Sequence, residues 1–266
     1  MDKYRLDELA NNPKNISGIF NYCDRWCERC TFTSRCLNYD IGEEQFNSES
    51  RDARNEVFWE RLSEMFKITF EMLEEDMKKR GLDINEFDLE DTKKEEENRR
   101  EAIKNHVDSK KSMQYADKVK EWFDNSKDFL LEKEIDINKL TKLDITTKDT
   151  EGTFIRLNDA IEVIHWYQYQ IHVKIRRAIS GKKEKLEEPA IHGGFPSDSD
   201  GSAKVALIGM DRSISAWGEL YQQFPEKENS ILELLVILEK LRKKIEASFP
   251  DARAFIRLGF DEDGDD

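Results

Sequence analysis

A chain of 266 residues with a net charge of -14 is long enough for one or two domains with a real core, and its acidity argues against nucleic acid as a partner, because counterion release needs concentrated basic surface. Charged and hydrophobic residues each make up 38%, while glycine (12) and proline (5) are scarce, a balance that favours helices over sheets. No apolar run approaches the roughly 18–20 residues needed to cross a bilayer. The start, Met1-Asp2-Lys3-Tyr4-Arg5-Leu6, lacks the apolar core of a signal peptide, so the expectation is a cytoplasmic protein with no membrane segment.

In chain order, residues 1–50 carry every cysteine, with a short helix-like piece at 16–22. Residues 52–81 predict a long amphipathic helix, since Phe58, Leu62, Met65, Phe66, Phe70, Leu73 and Met77 recur at three- and four-residue steps and Gly81 supplies a stop. An acidic connector (82–94) leads to a second long helix over 95–133, with Met113, Ala116, Val119, Trp122, Phe123, Phe129 and Leu130 as its apolar side. A polar stretch (135–153) precedes a helix over about 155–180, striped by Leu157, Ile161, Ile164, Ile171 and Ile175 and ended by Gly181. Residues 181–200 read as a loop.

A fifth helix over about 202–222 (Val205, Leu207, Ile208, Ile214, Trp217, Leu220) is followed by a sixth over about 227–248. The sixth is apolar around much of its circumference, the pattern of a helix at the centre of a bundle. The one weak strand signal is 254–258. These segments predict an all-α protein: a cysteine-rich metal-binding cap (1–50), a bundle of five to six helices (51–260) and a disordered acidic tail (261–266).

The chemistry concentrates in Cys23, Cys27, Cys30 and Cys36, spaced C-x3-C-x2-C-x5-C. Four thiolates close either a zinc site or an iron–sulfur cluster. In a reducing compartment clustered cysteines are more often metal ligands than disulfides. Four-cysteine zinc sites are usually built from two separated knuckles, whereas one wrapped loop suffices for a [4Fe–4S] cluster, which is therefore the expected cofactor. Zinc is the alternative, with disulfides or free thiols behind it. Tyr22, Trp26 and Phe32 are placed to shield such a centre. Arg25, Arg29 and Arg35 are placed to offset its charge, or to pair with Asp24 and Glu28 on the surface.

Two local resemblances attach to these residues. Cys23, Cys27 and Cys30 resemble the C-x3-C-x2-C motif of radical S-adenosylmethionine enzymes, but Arg29 stands where that family has an aromatic residue. Cys36 would also fill the iron site that those enzymes keep open, and the chain encodes no β/α barrel. The run Cys27-Glu-Arg-Cys30-Thr-Phe32-Thr-Ser-Arg-Cys36 is similar to the C-x2-C-x-aromatic-x3-C end of iron–sulfur exonucleases of the helicase–nuclease kind, whose fourth cysteine lies far upstream. Both resemblances imply cluster ligation and neither implies the enzyme.

A second metal site is a further expectation. Glu162 and His165 form a Glu-x-x-His pair, and Glu162, His165, Tyr169, His172 and Arg176 fall on one ribbon of the 155–180 helix. The ferritin-like di-iron pattern is incomplete, because neither His106, His172 nor His192 has a glutamate three residues earlier. The readings are a hydrogen-bonded polar seam, or one metal held by Glu162, His165 and His172 with help from Glu56, Glu60 or Glu64. Trp166, Tyr167, Tyr169, Trp217 and Tyr221 read as core or interface aromatics, and Gly193-Gly194 as a turn.

The functional expectation is a redox or electron-transfer protein, or a cluster-stabilised interaction module, that docks a protein partner of basic charge. The alternatives are a zinc-stapled interaction protein and an oxidoreductase using the second metal. The sequence sets no substrate and no oligomeric state.

Overall fold

Heptad-like spacing of apolar and small residues governs the larger part of the structure. The computed structural model describes residues 3–46, 54–81, 89–132, 135, 148–187 and 198–261. Among them no strand forms; eight α-helices and a further short helical run over 127–132 make up most of the described residues. Contacts divide the chain into two units, Met1–Glu97 with Ile256–Asp266, and Asn98–Phe255.

The N-terminal unit contains α1 (Lys3–Ala10), three 3-10 turns (Ile19–Asn21, Cys27–Arg29, Thr33–Arg35), α2 (Leu37–Gln45) and α3 (Glu56–Lys79); α4 (Leu89–Asn105) begins in it. Helix α1 packs on α2, and Arg5 grips Glu44 across them, its Nε 3.0 Å from each carboxylate oxygen. The Asn55 side chain caps α3 by accepting the Val57 N–H, and Gly81 ends it at φ 71, as its position predicts. Helix α3 thus lies in the unit with the cysteines, and no residue of it is fully buried.

The second unit is a ring of four helices. Helix α6 (Lys148–Glu187) lies along α7 (Asp198–Gln223) over the longest interface; α7 packs on α8 (Glu228–Ser248), α8 on α5 (Val107–Asp124), and α5 on α6. The core positions run Ile164, Tyr167, Ile171, Ile175, Ala178 on α6 and Ile231, Leu234, Leu238, Leu241, Ile245 on α8. On α7 the matching line is small: Ser202, Ala206, Gly209, Ser213, Ala216. Small residues let the α6 and α7 backbones approach, and a Cβ on Gly209 would lie 2.9 Å from the Tyr167 ring.

Polar links pin the ring at its seams. Trp217 Nε1 donates to the buried Tyr115 hydroxyl at 3.0 Å, and Trp122 Nε1 donates to Ser230 Oγ at 3.0 Å. Burial holds the Tyr115 hydroxyl well above the ordinary phenol range. Buried Asp108, in the first turn of α5, meets Lys244 of α8 at 2.7 Å.

Four sequence expectations change. The 95–133 helix is broken: α4 stops at Asn105, and His106 caps α5, its Nδ1 accepting the Asp108 N–H at 3.2 Å. Gly181 does not end α6, which continues to Glu187; a Cβ there would lie 3.1 Å from the Ser199 backbone nitrogen, so that glycine serves close packing at the start of α7. Helix α8 is not central. It buries one stripe and leaves Leu232 and Val236 exposed by 39% and 49%, while α7 is the helix with buried residues along its whole length. Residues 254–258 form a turn and irregular chain, and most of 135–153, 188–197 and the tail beyond Asp261 lie outside the described residues.

The α6–α7 contact gives a paired stability test. Gly209→Ala gains helix propensity but forces its Cβ into Tyr167, so it should destabilise by about 1–2 kcal/mol net. Gly218→Ala, on the same helix with nothing within 4 Å of its Cβ, should stabilise by about 0.5–1 kcal/mol. Urea unfolding followed by circular dichroism reads both.

Candidate metal centre

The four cysteines sit in a run of tight turns that sequence periodicity alone does not describe. Cys23 follows the first 3-10 turn, Cys27 opens the second, Cys30 closes it, and Cys36 follows the third and precedes α2. Backbone hydrogen bonds from Cys30 N to Cys27 O (3.1 Å) and from Cys36 N to Thr33 O (3.3 Å) fold the thiols back toward one another. Arg25 turns the chain between the first two cysteines at φ 60, a left-handed conformation that costs a non-glycine residue roughly 1–2 kcal/mol.

None of the four cysteines forms a disulfide; all are half-buried, and all four line a single cavity. Its other walls include Ile19, Trp26, Phe32, Tyr39 and Phe260, and its free volume is about 20 Å³, room for one water. The Phe32 N–H points at Cys30 Sγ at 3.4 Å, and the Cys23 thiol donates to Phe20 O at 3.5 Å. Burial, then the neighbouring Cys23 and Cys36, raises the Cys27 thiol above its ordinary range; Glu28 and Cys30 add to the effect. Negative charge gathered at this point would be repelled unless a cation joined it. As the side chains stand, no three His, Cys, Asp or Glu residues among those described are arranged to hold one metal ion.

The flanking residues divide. Trp26 and Phe32 line the cavity, and Tyr22 does not. Of the three arginines only Arg25 lines it. The Arg29 guanidinium stacks on Trp26 at 4.0 Å, and Arg35 Nε donates to Lys14 O at 3.4 Å. Phe260 was invisible to sequence reading because it lies over 220 residues downstream. It reaches the site because Gly259, at φ 78, brings the C-terminal segment against Ile16 and Ile19; Phe260 then meets Phe32 edge-on at 5.0 Å. Arg257 and Asp261, paired at 2.8 Å, brace that segment, so Asp261 belongs to the fold.

On the second candidate site the residues serve separate contacts. Glu162 is exposed. His165 stacks on Phe123 with ring centroids 4.1 Å apart, at the edge of a cleft of about 430 Å³ lined also by Lys120, Ile161 and Gln168. His172 is buried at 8% exposure, with Nδ1 2.9 Å from Ser112 Oγ. Ser112 donates its own hydrogen to Ser109 O at 2.9 Å, which leaves His172 Nδ1 as the donor in its pair with Ser112, and the ring ties α6 to α5. Glu56, Glu60 and Glu64 lie exposed on α3, in the other unit.

Burial holds both His165 and His172 below the ordinary histidine value of about 6.5, aided at His172 by Arg176 and opposed by Ser109 and Asp117. A lowered folded value means protonation favours the unfolded chain. Stability should therefore be full above about pH 6.5 and fall as the pH drops through the lowered values. The urea midpoint should decline between pH 7 and pH 5, and His172→Gln, which keeps a donor toward Ser112, should flatten that decline.

No protein family, curated protein or solved structure compared with this chain matches it.

Proposed function

We propose that this chain is a metal-binding protein whose N-terminal unit carries one [4Fe–4S] cluster on Cys23, Cys27, Cys30 and Cys36, and that it works in electron transfer or as a cluster-stabilised module that docks a protein partner. The observation that carries the reading is the meeting of all four cysteines, none in a disulfide, on one cavity, beneath a backbone N–H aimed at one of the sulfurs. N–H donors to sulfur are among the means by which proteins stabilise clusters and tune their potentials. Ligation by four cysteines leaves no iron open, so substrate chemistry at the centre is not part of the proposal.

Energetics support an inorganic staple of some kind. Among the described residues of the N-terminal unit only Leu9 and Ile19 are buried apolar side chains. A unit with so small a core needs another source of folding energy, and a structural metal supplies it because binding is coupled to folding. What favours a cluster is the sequence spacing, since all four cysteines lie in one continuous segment and four-cysteine zinc sites are usually built from two separated knuckles. The free volume of about 20 Å³ favours zinc, the second reading, since a cluster must displace the aromatic wall formed by Trp26, Phe32 and Phe260. The Glu162, His165 and His172 arrangement gives no support to a redox metal in the bundle.

Metal analysis after purification without air separates the readings. The proposal expects a brown protein with about four irons per chain, lost on Cys27→Ser or Cys36→Ser. The zinc reading expects a colourless protein with about one zinc. Protein that takes up neither metal on reconstitution overturns both. Removal of the metal should lower the unfolding temperature of the N-terminal unit and expose residues 19–39 to protease, with the bundle unchanged.

A further inference from the structure

One wall of the cysteine cavity belongs neither to the cysteine segment nor to a helix. Phe260 lines the cavity, and its ring meets Phe32 edge-on at 5.0 Å. Three local devices aim that ring. The Arg257 carbonyl accepts the N–H groups of Phe260 and Asp261 at 3.0 and 3.1 Å, closing a tight turn. The Asp261 carboxylate accepts the Arg257 backbone N–H at 2.9 Å and its guanidinium at 2.8 Å, and that guanidinium stands 5.0 Å from the centre of the Phe260 ring. Gly259, at φ 78, lies so close to Ile16 and Ile19 that a Cβ there would be 3.0 Å from each. Ile16 N in turn donates to Arg35 O at 3.0 Å, so the surface that receives Gly259 is tied to the residue before Cys36. Ile256 and Leu258 of the same segment are exposed by 63% and 47%; Phe260 is the apolar side chain it turns inward.

We infer, on the reading of this cavity as a metal site, that residues 256–261 form a cover over it and that Phe260 is the plug limiting exchange between the four thiols and solvent. The apolar shell of a metal site controls how water and competing ligands reach it, and they enter by local opening of its least constrained wall. Among the aromatic walls, Phe20, Trp26, Phe32 and Tyr39 lie close in sequence to the cysteines and move with them. Phe260 rides on a segment over 220 residues away, so it can swing out while the sulfurs keep their places. The order of the chain agrees with such a device. The cysteines are synthesised well before the cover, so metal can enter an open site that closes afterwards.

The test reads thiols and metal separately in the full chain, with circular dichroism confirming unchanged helicity. In metal-free, reduced protein, Phe260→Ala should speed alkylation of the cysteines by iodoacetamide about tenfold, because an opening that is rare in the wild type becomes frequent. Gly259→Ala, which keeps Phe260 but lifts the segment from Ile16 and Ile19, should do the same. Asp261→Asn, a milder change that leaves the cavity wall intact, should give about threefold and serves where Phe260→Ala disturbs the fold. Ile256→Ala, on the solvent side of the segment, should change nothing. In protein loaded with iron or zinc, Phe260→Ala should hold as much metal as the wild type and lose it to EDTA about tenfold faster. Equal alkylation in wild type and variants, or equal loss of metal to EDTA, overturns the cover and leaves the metal centre standing. Thiol protection that Phe260→Ala removes, in a chain that takes up no metal, upholds the cover and overturns the metal centre.

Discussion

The close approach of α6 and α7 is the contact on which the rest of the bundle is assembled. Two long helices can lie backbone to backbone only if one presents almost no side chain at the crossing, and Gly209, flanked by Ala206 and Ser213, meets that requirement. Tyr167 and Ile171 fill the groove so formed and are fully buried. Each fully buried isoleucine or leucine contributes about 1.5–3 kcal/mol, and such residues recur along α6 and α8. Helix α5 then closes the ring through Tyr115 and Trp122, whose polar partners fix its rotation.

The N-terminal unit is organised by different physics. Its helices share few buried apolar residues, its turns are short and 3-10 in type, and one residue, Arg25, holds a left-handed backbone. Exposed ion pairs such as Arg5–Glu44 add little in water. Two features stand out against that thin core: a cavity into which four thiols converge, and a helix with an apolar face left in solvent. The metal proposed for the first would supply bonding that so thin a core lacks.

The histidines of α6 show how the same residues can suggest chemistry and serve packing. A Glu-x-x-His pair with another histidine a turn or two beyond is the kind of pattern that metal sites use. In the bundle those side chains diverge: Glu162 faces water, His165 lies flat on Phe123, and His172 joins α5 through Ser112. Periodicity places them along one ribbon, but that ribbon crosses from the surface to the α5–α6 seam, and no shared centre results.

Sequence periodicity was enough to establish an all-helical protein, the extent of α3, α7 and α8 to within a few residues, and the set of four cysteines, because these depend on local spacing and residue chemistry. It misjudged Gly181 and His106, whose roles depend on what lies across from them: a glycine reads as a stop until a second backbone is seen against it, and a histidine cap looks like continuous helix. It also could not find Phe260, since a contact between residues so distant in the chain exists only once Gly259 turns the C-terminal segment onto Ile16 and Ile19. Local sequence determines which side chains share a helix face. Only tertiary packing decides which of those faces is buried, because burial is a property of the neighbour as much as of the helix.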